Sequence, residues 1–272
     1  MSQNRGSLAP VLYLPHGGGP LPILGDESHA SLVSFLAEIV GELGEPAAIL
    51  AISAHWEEDR ATVTSGSHPD LIYDYYGFPA EAYKIEYAAP GDPQLAEETV
   101  ELIESAGIRA ALDQRRGFDH GLFVPLKLMY PQADIPCLQL SLIENLNPEV
   151  HLALGKSIAA LRNKGVLILG SGMSFHNLKA FFSPHIDYGN ENDEFDRWLI
   201  ETCTSNMITP EMREQRLLEW EKAPAARFCH PRAEHLLPLH VCYGVAIAET
   251  ATAEVVFNEE IMGKRVTGLL WR

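Results

Sequence analysis

Val11-Leu12-Tyr13-Leu14 runs straight into Pro15-His16-Gly17-Gly18-Gly19-Pro20, a short apolar, β-prone run cut off by prolines, a histidine and three glycines. The pattern is that of a strand ending abruptly in a loop. Working outward, residues 31–43 place Leu32, Phe35, Leu36, Ile39, Val40 and Leu43 at helical spacing, so an amphipathic helix should follow the strand. Residues 47–53 then form an uninterrupted apolar run, as expected of a strand covered on both faces, and lead to Ala54-His55-Trp56. A third such run, residues 166–169, leads through Gly170-Ser171-Gly172-Met173-Ser174-Phe175 to His176-Asn177.

The remaining segments alternate in the same way. Helices are expected over 95–106, 122–129, 150–162, 191–205, 211–222 and 234–248, the last entered through Pro238. Strands are expected over 135–141, 254–257 and 266–270. Residues 66–90, rich in Tyr, Pro and Gly, read as a long structured loop. Alternation of this kind favours an α/β fold: a single domain over 1–272, with a central mostly parallel or mixed sheet flanked by helices.

Composition narrows the function. With 46% hydrophobic and 21% charged residues, the chain can bury a sizeable core. A formal net charge of −17 would repel a phosphate backbone, so nucleic acid is not an expected partner. No apolar run is long enough to span a bilayer, and the polar start Met1-Ser2-Gln3-Asn4-Arg5 lacks the apolar core of a signal peptide. Cys137, Cys203, Cys229 and Cys242 show no close pairing and read as reduced, which fits a cytoplasmic location. No motif specifies an oligomeric state.

The histidines carry the chemistry. In open α/β sheets ligands bind beyond the carboxyl ends of the strands, and His16, His55 and His176 each lie at or just after such an end. Alone, each reads equally well as a core or surface residue. Together they suggest a metal site, because iron and zinc take several neutral imidazoles from separate elements. The glycines beside His16 and before His176 suit a substrate close to the backbone. Two further histidines stay open on spacing alone. His120 lies in Gly117-Phe118-Asp119-His120-Gly121, where Asp119 is a candidate N-cap, and His235 opens an apolar helix. His29, His68, His151, His185, His230 and His240 read as structural or surface residues.

Several ordered motifs resemble the class III extradiol ring-cleavage dioxygenases, catalytic-subunit type. They include His16-Gly17-Gly18-Gly19-Pro20, Ser53-Ala54-His55-Trp56, Asp74-Tyr75-Tyr76-Gly77-Phe78-Pro79, Phe118-Asp119-His120-Gly121, His176-Asn177-Leu178 and Glu234-His235-Leu236-Leu237-Pro238-Leu239. The similarity is greatest to the DOPA 4,5-extradiol dioxygenase-like branch. It implies a metal held by His16, His55 and His235, with His176 as a fourth ligand or an acid/base residue and His120 on the substrate side. Glu234 is a second choice to His235, since protocatechuate-cleaving relatives use a carboxylate there. Three glycines precede Pro20 where the branch often has His-Gly-Ser-Pro, which changes the substrate surface beside His16.

The implied chemistry is O2 insertion into a catechol with ring opening, using Fe(II), although Zn(II) binds such sites more tightly and can occupy them. Three neutral imidazoles would leave the ion its full +2 charge. His176 is the expected proton acceptor, His120 orients substrate or O2, and Tyr73, Tyr75, Tyr76 and Phe78 are candidates for an aromatic wall. Arg115 and Arg116, near the His120 turn, read as solvated. The rival readings are a zinc hydrolase and a non-catalytic metal-binding interaction protein.

Overall fold

Burial of the apolar runs on both faces builds the sheet. The computed structural model describes residues 8–182, 190–249 and 252–272; His185 and the first five residues lie outside them. Among the described residues, eight strands form one sheet. They are β1 (Val11–Pro15), β2 (Ala48–Glu58), β3 (Ala61–Thr64), β4 (Ala110–Asp113), β5 (Cys137–Ile143), β6 (Val166–Gly172), β7 (Glu254–Ile261) and β8 (Lys264–Trp271). Their spatial order is β4-β3-β5-β2-β6-β1-β8-β7. The centre, β5-β2-β6-β1, is parallel throughout, while β8 joins β1, β7 joins β8 and β3 joins β5 antiparallel. The sheet is mixed, with its parallel strands buried as an α/β architecture requires.

Two helix groups cover it. Helix Ala30–Leu43 packs on helix His120–Met129, and helix Pro148–Ile158 packs on helix Leu237–Ala246. Strand β6 shows that the groups lie on opposite faces. The Oγ of Ser171 bonds the carbonyl of Gly121 in the first group, whereas its neighbours Gly170 and Gly172 face Cys242 and the His235 carbonyl of the second. A side chain at either glycine would overlap those atoms. The approach expected of substrate at these glycines is therefore made by the protein itself.

Other differences from the sequence reading have local causes. Strands β3 and β4 have only four residues each, too short to show a period, and β4 sits half-buried at the sheet edge. His55 lies inside β2 rather than past its end, in a stretch where the pairing with β5 shifts register between Ile52 and Glu57. The 234–248 helix begins at Leu237, leaving Glu234 and His235 in the turn before it. Pro238 explains the boundary, since proline fits the first turn of a helix where no N–H bond is needed. The ends of the expected 150–162 and 211–222 helices tighten into 3₁₀ turns, over 159–164 and 220–222.

Candidate metal centre

Because β2, β6 and β1 are parallel neighbours, the segments leaving them share one rim. His16 follows β1 directly and its N–H donates to Gly172 O (3.2 Å). His176 comes four residues after β6, its N–H held by Cys229 O (2.9 Å). His120 is the first residue of its helix. His235 is fixed through its carbonyl, which accepts from Met173 N–H (3.0 Å) and the buried Tyr13 hydroxyl (3.1 Å). The fold thus brings together all five histidines that the motifs had singled out. Ring centroids lie 4.8 Å apart for His16 and His55, 5.3 Å for His16 and His235, and 4.9 Å for His55 and His235. His120 lies 3.9 Å from His55, and His176 stacks on His235 at 3.3 Å. Grouped by donor atoms, His16, His55 and His120 form one set and His176, Glu234 and His235 another, each within 4.8 Å.

The outer nitrogens reveal which way the rings face. His120 Nδ1 meets Asp74 Oδ1 at 2.8 Å, and His55 Nδ1 lies 3.6 Å from Asp74 Oδ2. Glu234 Oε1 accepts from His235 Nδ1 (2.9 Å) and from His176 Nδ1 (3.2 Å). His16 Nδ1 stands 3.0 Å from Ser171 Oγ, whose own proton is spent on Gly121 O, so this hydroxyl accepts from His16. His16 and His55 present their Nε2 atoms to each other at 3.0 Å.

Charge in this pocket is tightly constrained. Burial, followed by the neighbouring histidines, pushes His16 and His235 well below the ordinary imidazole pKa. His55 falls likewise, through burial and then His120. Burial works against ionisation of Asp74, but the His120 hydrogen bond and the charges of His120 and His55 outweigh it, holding the carboxyl at about 2. Burial also opposes ionisation of Glu234, and the bonds from His176 and its own backbone, with Arg232 nearby, keep its pKa low. Two carboxylates therefore lie directly outside the imidazoles. An ion here would not keep an uncompensated +2 charge, contrary to the expectation from ligand type alone.

The donor set fits a divalent metal. Low-pKa imidazoles resist adding a proton and so keep a lone pair for a metal, and His16 and His55 bring their Nε2 atoms within 3.0 Å of each other. Two nitrogens at right angles, each about 2.1 Å from one ion, stand about 3 Å apart, which matches the observed spacing. His16, His55 and His235 come from three separate segments, and the donor atoms within 4.8 Å of one another set His120 beside His16 and His55, and His176 and Glu234 beside His235.

The surroundings sort the remaining candidates. Tyr73 and Tyr75 spend their hydroxyls on Ile85 O and Ala82 O within the long loop, and Tyr75 also packs edge-on against His120 at 5.7 Å. Phe78 packs on Tyr75, while Tyr76 is 92% exposed and forms no wall. Arg116 is not solvated: it bonds Asp119 at 3.0 Å and lies over the Trp56 ring at 4.4 Å. Asp119 occupies the N-cap position without capping, because its buried carboxylate accepts from Ser53, Gln139 and Arg116. The role of Asp74 was invisible in sequence, where it is one acid among tyrosines with its partner 46 residues away.

Comparison with known proteins agrees with this geometry. A family model described as the catalytic LigB subunit of aromatic ring-opening dioxygenase matches residues 10–269. The chain is 37% identical to dioxygenase tasH of Hapsidospora irregularis, over 99% of this chain and 87% of that one. It is 39% identical to a 4,5-DOPA dioxygenase extradiol of Beta vulgaris, over 91% and 90% of the two chains. Against a protein of the same name from Escherichia coli K12 the identity is 34%, covering 85% and 82%. A solved structure of an uncharacterized E. coli K12 protein superimposes with a TM-score of 0.75 at 28% identity, over 97% of this chain and all of that one. With a family match that spans nearly the whole chain, the protein belongs to the LigB family of aromatic ring-opening dioxygenases and is an oxygenase of the extradiol type.

Proposed function

We propose that the chain is an Fe(II)-dependent extradiol dioxygenase acting on a DOPA-like or otherwise substituted catechol in the cytoplasm, with the metal held by His16, His55 and His235. The observation that carries the reading is the cluster of five histidines, with Nδ1 of His16, His120 and His235 engaged by Ser171, Asp74 and Glu234 and with Nε2 of His16 and His55 facing each other. The names of the relatives support the substrate class. Four buried cysteines, all free, support a reducing compartment. No helix among the described residues is long and apolar enough to cross a membrane.

Bound Fe(II) supplies the redox-active centre and open positions that ring opening by O2 requires. The chain's own groups do the rest. His176, its Nδ1 held by Glu234, keeps Nε2 available to take the proton of a catechol hydroxyl and return it as the ring opens. His120, held by Asp74 and flanked by Tyr75, orients the substrate from the other side. His16, His120 and His235 are buried, while His55 and His176 are half-buried on the side from which substrate would enter.

The test is anaerobic reconstitution with Fe(II), followed by oxygen uptake and visible absorbance on DOPA, protocatechuate and caffeate. A coloured ring-opened product formed with equimolar oxygen consumption is expected with Fe(II) and not with Zn(II), and His176→Ala should lower turnover about 10²- to 10⁴-fold with metal retained. Silence across the panel with metal bound would favour a zinc hydrolase or a non-catalytic metal-binding protein instead, and parental turnover by His176→Ala would remove its acid/base role.

A further inference from the structure

Asp74 and Glu234 stand in equivalent relations to the histidines although they come from unrelated loops. Asp74, in the loop between β3 and helix Pro93–Ser105, faces the Nδ1 atoms of His120 and His55. Glu234, in the turn before helix Leu237–Ala246, faces those of His235 and His176. An ionised carboxylate can only accept, so the contacts to His120, His235 and His176 fix the proton on Nδ1 and oppose ring rotation, while His55, at 3.6 Å, is near the Asp74 charge without a hydrogen bond. A histidine left without such a partner could flip or change tautomer and lose its aim.

Both carboxylates are themselves anchored. Asp74 Oδ1 also accepts the backbone N–H of His120 at 3.0 Å, bonding the helix start that Asp119 leaves uncapped. The same carboxylate therefore docks the 66–90 loop and orients a site histidine. Glu234 has Arg232 Nη1 3.5 Å from Oε2, and Arg232 makes a two-pronged ion pair with Glu57, two residues beyond His55 on β2. This ties the His235 turn to the strand that carries His55.

We propose that Asp74 and Glu234 are positioning residues that orient the imidazoles of the metal centre, Asp74 through His120 and the nearby His55 and Glu234 through His235 and His176, and that Glu234 is not itself a ligand. The proposal rests on the metal-centre reading above but not on any catechol chemistry. Occupation of Glu234 Oε1 by two Nδ1–H groups argues against ligation by that oxygen, whereas the buried Oε2 has no hydrogen bond and only Arg232 Nη1 at 3.5 Å, so it is the oxygen the Co(II) spectrum must test. A neutral amide at either position can turn its NH2 toward Nδ1, selecting the opposite tautomer and directing a proton at the ion.

The experiment measures binding of Co(II) and Zn(II) alone, by chelator competition and by the visible spectrum of bound Co(II), in the full chain. Asp74→Asn and Glu234→Gln should each weaken binding by about 10- to 100-fold while leaving the Co(II) band positions unchanged. Asp74→Glu and Glu234→Asp, which keep the charge, should recover part of the loss, and urea midpoints confirm that each variant is folded. Shifted Co(II) bands in Glu234→Gln would show that Glu234 is a ligand, and parental affinity in both neutral variants would show that the contacts are merely structural; either result overturns the proposal. Because no substrate is used, failure of the dioxygenase reading would leave this outcome separately readable.

Discussion

His120 and His29 are both buried, and both place Nδ1 against an aspartate, yet only His120 lies in the cluster with His16 and His55. The difference is the other nitrogen. His29 Nε2 accepts the N–H of Gly18 at 3.0 Å, so the Asp26–His29 pair is used up in holding the glycine loop beside His16. His151 is spent similarly, with Nδ1 on Asn147 O at 2.7 Å and Nε2 on Ile143 N–H at 3.1 Å. In the cluster, by contrast, His16 and His55 turn Nε2 toward each other. Burial alone does not distinguish a ligand from a core histidine; the partner of the second nitrogen does.

The largest effect should come from exchanging the two kinds of histidine. His16→Ala or His235→Ala is expected to weaken metal binding by more than about 100-fold, since ligand loss should exceed the loss of an outer partner. His29→Ala should leave binding nearly intact and cost about 1–3 kcal/mol of stability, because a fully buried imidazole is lost and the half-buried Gly18 N–H loses its acceptor. Chelator competition and urea unfolding on the three variants decide it, and equal metal loss in all three would abolish the distinction.

A smaller effect sharpens the role of the backbone behind His235. A methyl at Gly172 would overlap the carbonyl of His235, so Gly172→Ala should cost about 1–3 kcal/mol and weaken metal binding. Gly41, exposed in helix Ala30–Leu43 with open space around it, is the control: Gly41→Ala should gain about 0.5–1 kcal/mol with unchanged metal affinity. If Gly172→Ala binds metal like the parent, the close approach does not position His235.

The mildest test uses pH on a spent histidine. Burial, partly offset by the Asn147 hydrogen bond, lowers His151 to about 4, below the unfolded value near 6.5. Its neutral form is thus favoured in the fold, and this contribution is full above pH 6.5 and is lost as pH falls toward 4. At pH 5 the loss is about 2 kcal/mol, so His151→Gln should flatten the fall in unfolding free energy between pH 7 and pH 5 by roughly that amount. An identical slope in parent and variant would rule it out.

The alternation of apolar runs and amphipathic stretches was legible because burial imposes its period wherever an element is long, as in β1, β2, β6 and helix Ala30–Leu43. Four-residue β3 and β4 carry no period and were missed. The strand-end positions of His16 and His176 were also legible, and family motifs pointed to His120 and His235. What the residues alone determined is that several imidazoles leave parallel strands at one rim. Only the tertiary structure decided how those rings are aimed, because the partner of His16 is 155 residues away and that of His120 is 46. An imidazole's rotation and proton position follow its hydrogen-bond partners, and those partners become neighbours only when the chain folds.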